Sequence, residues 1–256
     1  MATKPPRSAR RNYALSALIS RRAVTEARKV RAKGSAAVAS VVAAHQIANA
    51  QTSQTAVAEM LAEQEIDSIA EALLNLASFT TAPDDLDRMV ADIETDMEFD
   101  RLVASIVTDA ARAAESVATA IRPNIYHVRF LSPPSCARCV ILAGRVYRWS
   151  DGFQRHPGCD CSMIPTTVAS PLVQDVDALV ANGQVRGLSK ADLQALRDGA
   201  DLSQVVNVRG KKAGLLEAGH ALTRGGRPTP AGIYRLAGDD RDEALRLLAR
   251  YGFITP

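Results

Sequence analysis

The chain reads as an α+β protein, mainly helical, with long N-terminal helices, a small antiparallel β core carrying a Cys/His cluster, and short C-terminal helices. Three observations predict this. Apolar residues recur at spacings of three and four over most of residues 8–121. Two short alternating stretches, "NIYHVRFL" at 124–131 and "GRVYRW" at 144–149, flank a proline turn. Hydrophobic residues make up 47% of the chain but aromatics only 4%, an alanine-rich balance that suits slender helices. The expected division is a helical N-terminal domain over 1–122 with a basic arm at 1–33, a β/cysteine-knuckle core over 123–168, and a helical region over 169–256.

Taken in order, residues 8–121 predict helix nearly throughout. Val38, Val41/Val42 and His45 follow the helical period, as do Val57, Met60/Leu61, Ile66, Ile69/Ala70, Leu73 and Leu76. "KGS" at 33–35 marks a break, with Gly34 suited to a left-handed turn and Ser35 to a cap. "TTAPDD" at 80–85 marks another, with Thr81 and Asp84 as candidate caps. A further helix runs on Leu86, Met89/Val90, Ile93 and Met97, then Val103, Ile106/Val107 and Ala110, until Pro123. One side of the longest helix is barely hydrophobic, so these helices are expected to bury their stripes against each other or against another copy. In the first strand Ile125, His127, Arg129 and Leu131 alternate with Tyr126, Val128 and Phe130. Toward the C-terminus, Ser189 caps a helix that Gly199 stops. "KKAGLLEAGHALTRGGRPTP" reads as an exposed loop. Two last helices start at Thr229 and Asp239, with Leu245, Leu248 and Phe253 turned inward.

Net charge is only +3, but it is unevenly spread. Residues 1–33 hold ten Lys/Arg against Glu26, and residues 59–100 hold thirteen Asp/Glu against Arg88. A basic start of this kind fits nucleic acid or an acidic protein surface, with Arg7, Arg10, Arg11, Arg21 and Arg22 as the candidate contacts. The bland alternative is a solvated, frayed end. No apolar run reaches the roughly 20 residues of a membrane span, and no apolar stretch of signal-peptide length follows the basic start. A soluble protein made in a reducing cytosol is expected.

All four cysteines fall within 136–161, in the pattern C-x2-C-x19-C-x-C with His156 beside the second pair. In a reducing compartment such pairs more often hold metal than form disulfides. Zinc takes four soft or borderline ligands in a tetrahedron. Cys136 and Cys139 form one half of the candidate site. The other half is Cys159 with Cys161, or His156 with one of them. Four protein ligands leave no open position for water, so the zinc is expected to be structural.

A C-x2-C segment, a strand-like stretch with a glycine, then H-P-x-C-x-C, a short strand and proline resembles the MuF-like minor head proteins of tailed bacteriophages, in the version found in phages of actinobacteria. The matching residues are Cys136, Cys139, Gly144, His156, Pro157, Cys159, Cys161 and Pro165. The helical N-terminal half fits the family's layout. The resemblance implies a minor capsid protein inside the phage head, assembled in the host cytoplasm, with the portal and the major capsid or scaffold proteins as partners. Packaged DNA would meet the basic N-terminus. Family members of this type are often labelled capsid maturation proteases, which is the enzymatic alternative. No G-x-S-x-G elbow is present, and the four histidines, His45, His127, His156 and His220, nominate no triad by spacing. A third alternative is a zinc-ribbon nucleic-acid module built around Arg138, Arg145, Arg148 and Arg155.

Overall fold

The computed structural model describes residues 4–151, 153, 161–208 and 228–254. These divide into two compact units. The first holds the described residues of 1–130, 146–155 and 162–173, and the second those of 131–145, 156–161 and 174–256. The middle stretch is therefore shared between them.

The first unit is a three-helix bundle with a sheet at one end. α1 (Arg7–Val30) and α2 (Ser35–Glu63) form an antiparallel hairpin, with Arg11 paired to Glu59 near one end and Asn49 bonded to Ser16 midway. α3 (Pro83–Ala91) packs on α2, and α4 (Asp96–Ala120) packs on both long helices. α4 runs antiparallel to α1, with Tyr13 facing Glu115, Ser20 facing Thr108 and Arg28 facing Asp100. β1 (Tyr126–Phe130) is the centre of an antiparallel sheet, between β3 (Val146–Tyr147) and β4 (Ser162–Thr166). The register pairs His127 with both Tyr147 and Pro165.

Two apolar cores lie along this bundle. One joins Ala9, Met60, Leu61 and Ala118 to the sheet residues Val128, Phe130 and Ile164. The other gathers Ala23, Ala27, Val38, Val42, Leu86, Phe99, Val103 and Val107. Small alanine faces let the helices approach closely, as the composition implies. Between the cores runs a buried polar seam. On α1 it consists of Ser8, Asn12, Ser16 and Ser20, spaced by four; on α2, of Gln46, Asn49 and Ser53. The Asn49 amide donates to Ser16 Oγ and to the Val107 carbonyl, both at 3.0 Å, and Ser20 bonds Thr108 at 2.9 Å. This accounts for the barely hydrophobic side of the long helix: it faces polar partners, which meet most of its hydrogen bonds though not that of Asn49 Oδ1.

Several boundaries differ from the sequence expectation. α2 does not continue through Leu76. It ends at Gln64, with Glu65 in the left-handed region at φ 59°, the Glu65 N–H on the Ala62 carbonyl and the Ile66 N–H on the Leu61 carbonyl. This is the helix stop that usually uses glycine; here Ile66 packing into the same core as Leu61 holds a glutamate in that place. Residues 66–75 then run without helix, and Ile69 and Leu73 are 79% and 93% exposed rather than lined up on a buried stripe. The break at 33–35 is where expected, but the capping residue is Gly34 at φ 98°, and Ser35 is the first helical residue. Thr81 and Asp84 do not cap α3. Ala82 precedes it and Pro83 fills its first position, while Thr81 exchanges hydrogen bonds with Gln46. The helix expected from Leu86 onward is split at 92–95, where Thr95 and Glu98 form a reciprocal cap for α4, leaving Met97 exposed. The alternation of β1 hides one fact: residues 127–130 are buried on both sides.

In the second unit, β2 (Ser135–Cys136) pairs in parallel with β5 (Val185–Arg186), and α5 (Ala137–Val140) follows β2 directly. Cys136 therefore lies on this ribbon and Cys139 in the helix after it, neither on the antiparallel sheet. α6 (Val176–Ala181) precedes β5, and Gly144 meets it so closely that an added Cβ would lie 2.9 Å from Val176 Cγ2. α7 (Lys190–Arg197), α8 (Leu202–Asn207), α9 (Pro230–Ala237) and α10 (Arg241–Arg250) enclose Ala195, Val205, Ile233, Leu248 and Phe253. Ser189 caps α7, Gly199 turns left-handed after it, and Thr229 caps α9, as the sequence predicts. α10 is capped by Asp240, one residue later than expected. The expected loop around His220 lies mostly outside the described residues.

Candidate functional site

The cysteine segment begins where β2 turns into α5. Cys136 is the last residue of the strand, extended at φ −68° and ψ 145°, and it stands at the cap position of the short helix. Cys139 lies within that helix and is buried, whereas Cys136 is half-buried. The ribbon fixes this geometry: the Ser135 N–H bonds the Gln184 carbonyl at 3.0 Å, and Cys136 registers with Arg186. Cys161 is fully buried and precedes β4 by one residue. His156 and Cys159, the remaining candidate ligands, lie outside the described residues. Among the described residues, no group of three or more His, Cys, Asp or Glu side chains is placed to hold a metal ion. Two of the three described cysteines, Cys139 and Cys161, are buried, and the third, Cys136, is half-buried.

His127 occupies a different setting from the cysteines. It is buried in β1, stacked on the Tyr147 ring at 5.4 Å and edge-on to Phe153 at 5.8 Å. Arg129, two residues on and also buried, places its guanidinium 4.1 Å from the Phe153 ring centroid. His127 and the cationic Arg129, on one side of the strand, are thus covered by two rings. The alternation His127/Arg129 is visible in the sequence. The covering rings are not, because they come from later segments. His45 is half-buried on α2, with Nδ1 2.9 Å from the Val41 carbonyl.

Arg7, Arg10, Arg11, Arg21 and Arg22 all belong to α1 and are all exposed. At 100° per residue they fall within an arc of about 120°. That arc lies opposite the buried stripe Ser8, Asn12, Ser16, Ala23 and Ala27. The basic start is therefore a bundle helix and not a frayed arm. Part of its charge is already matched by the acidic stretch. Arg11 pairs with Glu59, Arg28 with Asp100 and Arg31 with Asp96, and Arg31 also lies over the Phe99 ring. Glu63 accepts the Arg7 and Ser8 backbone N–H groups at 2.6 and 3.0 Å and the Ser8 hydroxyl at 2.8 Å. These bonds hold its carboxyl below the ordinary glutamate range and supply the anionic cap that α1 lacks in its own first turn. Arg10, Arg21 and Arg22 form no ion pair among the described residues and stay turned outward.

Around the second unit's knuckle, Arg138 and Arg145 are exposed. On the first unit Arg148 is exposed and its backbone N–H bonds the Asp151 carboxylate at 2.8 Å. Arg155 lies outside the described residues. No described helix is long and apolar enough to cross a membrane. No family model matches the chain, and neither does any curated protein or solved structure.

Proposed function

We propose that this chain is a minor head protein of a tailed bacteriophage, of the MuF-like type, that sits inside the head and docks on the portal. The observation that carries this reading is the run Cys136, Cys139, Gly144, His156, Pro157, Cys159, Cys161 and Pro165, placed behind a long helical N-terminal half. Two features are in keeping with it. Gly144 occupies a place where α6 leaves no room for a side chain. The bundle is built of long helices, α1, α2 and α4 having 24, 29 and 25 residues, which leaves a long side to lie against another protein. In this reading a single zinc ion, held by Cys136, Cys139 and two ligands from His156, Cys159 and Cys161, stiffens the middle of the chain. The metal would supply structure only, since four protein ligands leave no position for a reacting water.

The test is direct. The chain is co-expressed with its portal and major capsid proteins, and the assembled particles are purified. The protein is expected in the particles in low copy number, co-purifying with portal, and with about one zinc per chain. Particles that form normally without it and never contain it would overturn the head role. Cleavage of the capsid protein in the co-expression, abolished by one Ser, Cys or His substitution, would favour the protease alternative instead.

A further inference from the structure

The first unit carries two exposed surfaces of matching chemistry, and we infer that they are the two halves of one contact: the segment 65–73 of one copy lies along the outer face of α1 of a second copy. The segment follows the Glu65 turn and has no regular structure over 66–70. Its residues alternate. Ile66, Ser68 and Ala70 are half-buried, while Glu65, Asp67, Ile69 and Glu71 point out, followed by exposed Leu73. Ile66 and Leu74 pack on the core, and the Glu71 N–H bonds the Ile121 carbonyl at 2.9 Å, so the segment is anchored at its inner side. The outward row is thus held in place with three carboxylates and two large apolar side chains in solvent. Ile69 and Leu73 are the two most exposed large hydrophobics of the described residues.

The outer face of α1 is the counterpart. Leu15 and Leu18 are exposed at its middle, at 39% and 38%, with Arg7, Arg10 and Arg11 on one side and Arg21 and Arg22 on the other. From Arg7 to Arg22 the helix spans about 23 Å, and residues 65–73 reach at most about 26 Å. A row of carboxylates with apolar residues between them can therefore lie against a row of arginines with leucines between them. Neither surface is self-complementary: one is acidic and the other basic. The inferred contact is head-to-tail, made once per pair and leaving one free surface of each kind. Repetition closes a ring or extends a chain of subunits, and the salt dependence follows from the charges. No portal or capsid protein is needed for this contact, so its failure and the failure of the head role are separate results.

The experiment uses the full chain alone, by sedimentation velocity at a series of concentrations, at about 50 and about 500 mM salt. The wild type is expected to form dimers and higher species that weaken at high salt. I69N/L73N and R21E/R22E are each expected to raise the apparent Kd at least tenfold, with circular dichroism and melting temperature like the wild type's. The decisive arm is the mixture of the two variants. Each keeps one intact surface, so together they should give a 1:1 dimer and nothing larger. Wild type that stays monomeric at low salt, or variants that associate as the wild type does, would overturn the inference. So would a mixture that restores no dimer, or R21E/R22E losing only retention on DNA while its self-association is unchanged.

Discussion

Glu63 shows how much one side chain can do for a bundle. It stands at the end of α2 and satisfies the first amides of α1, which has no acid in its own first turn. Glu63→Ala should lower stability by about 0.5–1 kcal/mol, read by urea or thermal unfolding, a modest figure because the group is exposed. The pH dependence carries a sign. Its folded pKa is depressed, so its contribution is complete above the ordinary glutamate range near ~4.3 and is lost as pH falls toward the lower folded value. That part of the acid-side slope should be missing in the variant. Asn49 is the second test at this scale. It is fully buried and donates two hydrogen bonds that join all three long helices. Asn49→Ala opens a void and removes the bonds to Ser16 Oγ and to the Val107 carbonyl, at a cost of about 2–3 kcal/mol in the same assay.

Among the elements, those announced by local chemistry are the ones legible in the sequence. Ser189 accepts the Asp192 N–H at 3.1 Å while Asp192 accepts the Ser189 N–H at 2.8 Å, and Gly199 turns left-handed at φ 94°. Ser189→Ala should cost about 1 kcal/mol, measured as a fall in the melting temperature of the chain. The end of α2 was not legible, because its left-handed residue is a glutamate, and only the packing of Ile66 beside Leu61 makes that conformation favourable. The apolar period across 66–76 does not form a helix for the same reason: Ile69 and Leu73 share the spacing of a helix but sit on an irregular segment. The polar seam has a local signature in the sequence, Ser8, Asn12, Ser16 and Ser20 at intervals of four, opposite the arginines.

For the whole molecule, the charge split takes on a new meaning. The basic start and the acidic stretch are partly each other's partners, through Arg11–Glu59, Arg28–Asp100 and Arg31–Asp96. Deleting residues 2–33 would remove a bundle helix with buried Ala23 and Ala27, so charge reversal at Arg21 and Arg22 is the cleaner probe of any surface role. The proposed metal makes a prediction at this scale too. If the four-ligand zinc is present, a strong chelator should lower the melting temperature of the wild type by roughly 5–10 °C. Cys136→Ser should match the chelated protein and bind less than a tenth of the wild type's metal. No metal in the wild type, or no response to chelator, would remove the knuckle from the proposed function.

Sequence alone determined the class of the protein, its long alanine-rich helices, the strand β1 and the grouping of the cysteines along the chain, because periodicity and caps act over a few residues. Tertiary structure decided which polar residues are buried, where α2 stops, and which charges are matched or left outward. The matched charges and hydrogen bonds depend on partners fifty to a hundred residues away in the chain, such as Glu63 for Arg7 and Thr108 for Ser20, and the stop of α2 depends on Ile66 entering a core shared with Ile125 and Val128; no local pattern records which partner will arrive.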